Sequence, residues 1–330
     1  MQTRTLNQTT VSAIGLGMMG MSDLYGPSDE AESLATLHAA LEAGITLFDT
    51  ADFYGVGHNE LLLREALRTH PREQLIISVK FGVLRDPSGG WLGVDTSPRA
   101  IKNALAYSLR RLGTDYIDIY RPARLDPNVP IEDTVGTIAD LIKAGYVRQI
   151  GLSEVGTETL RRAHQVHPIT DLQIEYSLIS RGIEASILPT TRELGIGITA
   201  YGVLSRGLLS GHWTGDRQLA LSDFRRYSPR FSGDNLTHNL NLVDALRTIA
   251  ESKGVTVAQI TIAWVLAQGI DIVPLIGARR RDRLQEALAA LPITLDATDL
   301  TLIEQAIPPS AAAGERYNAQ AMAQLDSERG

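Results

Sequence analysis

Short apolar runs alternate along this chain with longer stretches in which apolar positions recur every three or four residues. The short runs predict β-strands near 11–17, 45–50, 75–80, 116–121, 147–153, 172–176, 197–201 and 271–276. The longer stretches predict helices near 29–43, 59–69, 98–112, 132–144, 157–167 and 182–194, and two more within 238–268, broken around Gly254. Ser97-Pro98 opens one helix, and Gly44, Gly113, Gly145 and Gly195 follow helix ends, where a residue in the left-handed conformation stops the helix. Eight strand–helix units without a linker-like break predict one α/β domain over 1–330, a closed (β/α)8 TIM barrel. The segment at about 202–236 is too long for an ordinary strand-to-helix turn and is expected to be functional. The tail at about 308–330 is expected either to fold back to the barrel mouth or to fray.

A competing pattern is Gly15-Leu16-Gly17-Met18-Met19-Gly20, which matches the glycine fingerprint of a dinucleotide-binding doubly wound sheet. In that fold a helix begins at the third glycine and aims its N-terminus at a pyrophosphate. Here Gly20 leads into Met21-Ser22-Asp23-Leu24-Tyr25-Gly26-Pro27, a loop, so the glycines belong to a strand-to-helix loop of the barrel.

Composition narrows the function classes. The 330 residues carry a net charge of −7 with no basic block, which argues against a nucleic-acid surface and for small-molecule partners. There is no cysteine, so disulfides, thiolate nucleophiles and cysteine metal sites are excluded, and a reducing, cytoplasmic setting is favoured. The polar N-terminus and the short apolar runs predict neither a signal peptide nor a membrane span. No metal site is expected, and nothing in the sequence decides between monomer and homo-oligomer.

A βα barrel carries its chemistry at the C-terminal ends of its strands. Along that edge lie Asp49 and Tyr54 after strand two, Lys80 closing strand three, Ser153-Glu154 after strand five, Gln173 in strand six, Tyr201 after strand seven, and Gly277, Arg279, Arg280 and Arg283 after strand eight. A phenol is a poor proton donor or acceptor at neutral pH unless a cation stabilises its anion, and Lys80 is the candidate cation for Tyr54, with Asp49 to pair it. Ser153, Gln173 and Tyr201 suit an amide-bearing aromatic ring; a helix opening among arginines suits a phosphate.

The order and spacing of these segments resemble the aldo-keto reductases, barrel oxidoreductases that use a nicotinamide cofactor. The likeness rests on the glycine run at 15–20, Phe48-Asp49-Thr50-Ala51-Asp52-Phe53-Tyr54-Gly55, Val79-Lys80, Gly151-Leu152-Ser153, Gln173-Ile174-Glu175-Tyr176, Ala200-Tyr201-Gly202 and Pro274-Leu275-Ile276-Gly277-Ala278-Arg279. It implies that Tyr54 donates a proton to a substrate carbonyl, that Lys80 lowers the pKa of Tyr54, and that Asp49 pairs with Lys80. It implies further that Ser153 and Gln173 hold a carboxamide, that Tyr201 stacks on nicotinamide, and that Leu204 and Arg206 lie near the pyrophosphate. Gly277, Arg279, Arg283 and Glu286 would meet the adenosine end, with the arginines favouring NADP(H) over NAD. The long loop would then cross the cofactor, and Trp91, Ala123 and Arg124 are candidates to line the substrate pocket, with Tyr25 and Trp213 weaker candidates of the same kind.

Three positions depart from the family's pattern. In Tyr120-Arg121-Pro122-Ala123-Arg124, alanine stands where the family usually has a catalytic histidine. Glu154 replaces an asparagine that commonly follows the serine, and Ala287 an asparagine at the adenine end. His58 is the histidine nearest in sequence to Tyr54 and is expected at a helix start rather than in the site. The resulting expectation is NADPH-dependent reduction of aldehydes or ketones. The alternatives are a non-catalytic cofactor-binding subunit like the channel-associated members, or a dehydrogenase of an alcohol, sugar or pyridoxal-type substrate.

Overall fold

The computed structural model describes residues 1–329. Eight parallel strands close into a barrel: Gly15–Gly17, Leu47–Ala51, Ile76–Phe81, Ile117–Pro122, Val147–Ser153, Ile169–Glu175, Gly197–Tyr201 and Ile272–Ile276, the last pairing with the first. They are numbered one to eight below. The helices between them are 30–42, 58–67, 98–112, 131–143, 157–166, 187–193, 233–252 and 257–267, and helix 281–288 follows strand eight. The barrel reading is therefore correct and the doubly wound alternative is not; the helix after the glycine run begins only at Glu30, with Asp29 as its cap.

Two details differ from expectation. The apolar run at 11–17 is not one strand. Thr9–Ser12 pairs antiparallel with Thr3–Leu6, and the barrel strand starts only at Gly15. This hairpin closes the barrel floor, where Leu6 and Val11 pack against Leu47, Ile119 and Val273. The approach is so close that a Cβ on Gly197 would lie 2.9 Å from the backbone of Leu6. The other difference is a small hairpin after strand three, Val83–Arg85 with Trp91–Val94, which rises over the mouth.

Within each barrel strand alternate side chains face inward. In strand two Leu47 faces the floor and Asp49 the middle of the barrel; in strand three Ser78 and Lys80 follow the same alternation, and the register sets Asp49 beside Ser78. Sequence alternation thus decides which side chains share the barrel's interior, and strand register decides their height.

Candidate active site at the barrel mouth

The mouth opens into a cavity of about 780 Å³ that reaches from the hairpin after strand three to the loop after strand eight. At one end lie Asp49, Lys80 and Tyr54, exposed by only 2%, 4% and 7%. The ammonium of Lys80 donates to Asp49 Oδ1 and sits 5.0 Å from the centre of the Tyr54 ring. Tyr54 is held on a tight turn with positive φ at Gly55 and Val56. A buried network fixes that turn: Thr50 donates to Asn59 at 2.6 Å, and Asn59 donates to the Met18 carbonyl at 2.9 Å and to Ser22 at 2.7 Å. Phe53 packs edge-on against Tyr54, and Trp91, 46% exposed, stands edge-on to Phe53 at 6.4 Å.

Beneath this set lies a polar layer that sequence reasoning missed. Ser78 and Gln173 each donate to Asp49 Oδ2 at 2.8 Å. Arg121 donates to Ser78 at 2.9 Å and pairs with Asp171 at 3.0 Å, with both side chains fully buried, while Thr199 donates to Asp171. Gly151 makes the room, since a Cβ there would lie 2.6 Å from Asp171 Oδ1. The signal was present in the sequence as polar residues two apart in otherwise apolar strands, Ser78 with Lys80 and Asp171 with Gln173.

The far end of the cavity is cationic. Gly277, Arg279, Arg280 and Arg283 line it, as do Glu286 and Ala287. Arg279 donates to the Pro27 carbonyl at 3.0 Å and the Tyr25 carbonyl at 3.3 Å, so it ties the loop after strand one to the start of helix 281–288. Arg283 and His212 both hold Glu286, at 3.0 Å each. Arg217, from the long loop, was not foreseen. It lines the cavity over the Trp213 ring and has no ion-pair partner among the described residues. The long loop does cross the mouth, contributing Leu204, Arg206, His212 and Arg217 to the cavity wall.

The tail folds back. Arg316 grips Glu154 through two hydrogen bonds of 2.9 and 2.6 Å, Ser327 donates to the same carboxylate at 2.7 Å, and Asp326 accepts from the Gly156 amide at 2.9 Å. The Tyr201 hydroxyl donates to Glu154 at 2.7 Å and meets the Tyr317 hydroxyl at 3.0 Å. Arg206 pairs with Glu175 at 3.1 Å and lies 4.1 Å from the Tyr317 ring, so it anchors the tail. Glu154 therefore turns toward the tail, while Ser153, Gln173 and Tyr201 line the cavity.

With this geometry in place, the chain matches the model of the Aldo/keto reductase family over residues 13–308. The chain belongs to that family. It is 41% identical over 310 residues to a probable aldo-keto reductase 1 of Glycine max, covering 93% of this chain and 88% of that one. Among solved structures it resembles a glycerol dehydrogenase of Gluconobacter oxydans, with a TM-score of 0.83, 29% identity and 91% and 92% of the two chains covered. It also resembles a thermostable aldo-keto reductase solved with the inhibitor epalrestat, with a TM-score of 0.75, 28% identity and 93% and 100% covered. This aldo-keto reductase is accordingly an oxidoreductase of carbonyl or alcohol substrates, in a family that uses a nicotinamide cofactor.

The net effect on the Tyr54 phenol is upward. Burial pushes it well above its ordinary value, the charge of Asp49 adds to that, and the cation opposing them is Arg124. Burial also pushes the Lys80 ammonium down, against the pull of Asp49. At the position where the family usually has a histidine, the structure agrees with the sequence. Ala123 and Arg124 both line the cavity, and no histidine joins them at that end. His58 bonds Ser22 at 2.8 Å and faces Glu30, away from the cavity.

Proposed function

We propose that this aldo-keto reductase is a single-domain enzyme that reduces aldehydes or ketones to alcohols with NADPH, with Tyr54 as proton donor. The observation that carries the reading is the assembly of a buried phenol, an ammonium and a carboxylate at one end of a cavity whose other end is lined by Arg217, Arg279 and Arg283. The residues present fit such a cofactor: Ser153 and Gln173 offer hydroxyl and amide groups, Tyr201 offers a ring, and Arg217, Arg279 and Arg283 offer phosphate-binding charge at the opposite end. When bound, the reduced nicotinamide supplies the hydride.

The protein's part is acid catalysis and charge placement. The Tyr54 phenol keeps its proton at neutral pH, as a donor to a carbonyl oxygen must, and the Lys80 ammonium 5.0 Å from its ring favours release of that proton against the burial that holds it. As the substrate carbon gains hydride, its oxygen takes the Tyr54 proton, and the phenolate that remains faces Lys80 and Arg124. Asp49 keeps the Lys80 ammonium charged and aimed, and Ser78 and Gln173 keep Asp49 aimed. The intact set argues against a non-catalytic subunit. The test is Tyr54→Phe: reduction of a reactive aromatic aldehyde should fall by about 10²-fold or more while NADPH binding, read by fluorescence quenching, is unchanged. Turnover at the original rate would refute the assignment of Tyr54.

A further inference from the structure

Arg124 has no ion-pair partner among the described residues, although it is half-buried and lines the cavity. Its side chain makes a single hydrogen bond, from Nη1 to the carbonyl of Ala123 at 2.6 Å. The other charges at this end are satisfied. Asp49 holds Lys80, and Glu154 takes hydrogen bonds from Arg316, Tyr201, Ser327 and the Glu175 amide. Glu154 attracts Arg124 only from beyond ion-pair distance, so its planar fork is left free to match a carboxylate with two parallel hydrogen bonds.

Position decides which anion it would meet. Arg124 follows strand four, and in a closed ring of eight strands that place lies across the barrel from strand eight, whose loop carries Arg279 and Arg283. The phosphates of a dinucleotide belong to that far end, so the free valence of Arg124 faces the substrate. It shares the cavity wall with Tyr54 and Trp91, and its neighbour Ala123 contributes only a methyl group.

We propose that Arg124 selects carbonyl substrates that carry a carboxylate, such as oxo acids and carboxylated aldehydes, by holding the carboxylate while the carbonyl meets Tyr54. The proposal rests on the carbonyl-reductase reading and names its substrate class. It makes Arg124 a specificity-determining residue rather than a replacement for the absent histidine.

The test compares 4-carboxybenzaldehyde with its methyl ester and with 4-nitrobenzaldehyde, using the full-length protein and NADPH. The acid should be preferred over the ester by about 10- to 100-fold in kcat/KM, mainly through KM, and Arg124→Gln should bring the acid-to-ester ratio of kcat/KM to about one, whatever loss the two substrates share through Tyr54. Arg124→Lys, which keeps the charge but loses the fork, should recover part of it. A parallel calorimetric titration with 4-(hydroxymethyl)benzoate, against its methyl ester, needs no turnover. Acid and ester handled equally by the wild-type protein, or equal losses of both in Arg124→Gln, would overturn the proposal. Failure to reduce any aldehyde while the carboxylate still binds through Arg124 would instead refute carbonyl reduction and leave the anion site standing.

Discussion

Arg316 closes on Glu154 with both terminal nitrogens, across 162 positions of sequence. The contact ties the tail to the strand end that carries Ser153, and it brings Tyr317 to the hydroxyl of Tyr201. Although burial opposes ionisation, Arg316 and its neighbouring donors hold the Glu154 carboxyl at about 2.

Removing Arg316 leaves that buried carboxylate without its ion-pair partner, held only by the neutral donors Tyr201, Ser327 and the Glu175 amide. Arg316→Ala should therefore cost about 3–5 kcal/mol of stability in urea unfolding and expose the tail to limited proteolysis, with Glu154→Gln added to it recovering part of the loss. The pH dependence follows from the depressed pKa. The contribution of Glu154 is complete above its ordinary 4.5 and is lost as pH falls toward about 2. Wild-type stability should decline through that window, and Arg316→Ala should flatten the decline.

Asp52 has the opposite sign. Burial and then the charge of Glu60 push its carboxyl up to about 7, and its Oδ1 has no hydrogen-bond partner. Its contribution is complete below 3.8 and is lost as pH rises toward about 7. Asp52→Asn should stabilise the protein by roughly 1–2 kcal/mol at pH 8, allowing for water at a half-buried site, and leave it unchanged at pH 4. Thermal unfolding at the two pH values reads the difference.

Lys80→Met removes the counter-charge of Asp49. The variant should lose about 10²-fold or more in kcat, with a loss of stability from the stranded carboxylate; adding Asp49→Asn should restore stability but not activity. Steady-state rates and urea midpoints separate the two effects, and recovered activity in the double variant would argue against Lys80 as part of the proton-donor set.

Arg279 both lines the far end of the cavity and fastens the loop at Tyr25–Pro27. Arg279→Ala should weaken NADPH by about tenfold more than NADH in fluorescence titrations if it meets a 2′-phosphate. Equal losses would leave it only the role of a loop fastener.

Much of this was legible beforehand. Alternation of strand and helix patterns announced the barrel, and the strand ends carrying Asp49, Lys80, Ser153 and Tyr201 located its mouth. The N-terminal hairpin was hidden because Thr9–Ser12 and Gly15–Gly17 read as one apolar run when only a turn separates them. The layer of Arg121, Asp171 and Thr199 was hidden for a different reason. Each residue looks like an isolated polar interruption within its own strand, and only closure of the ring brings strands four, six and seven to one height. The fate of Glu154 was the least legible, because sequence places it beside Ser153 while its orientation is set by the tail.

That dependence bears on the order in which the site is completed. Glu154 leaves the ribosome well before Arg316 and Ser327 do. Strands one to eight are all available once residue 276 has emerged, yet the carboxylate at the end of strand five must then stay solvated or unpaired. The ring can close early, but the mouth reaches its final shape only when the last helical turns dock, so ligand binding by the nascent protein should lag behind formation of the barrel.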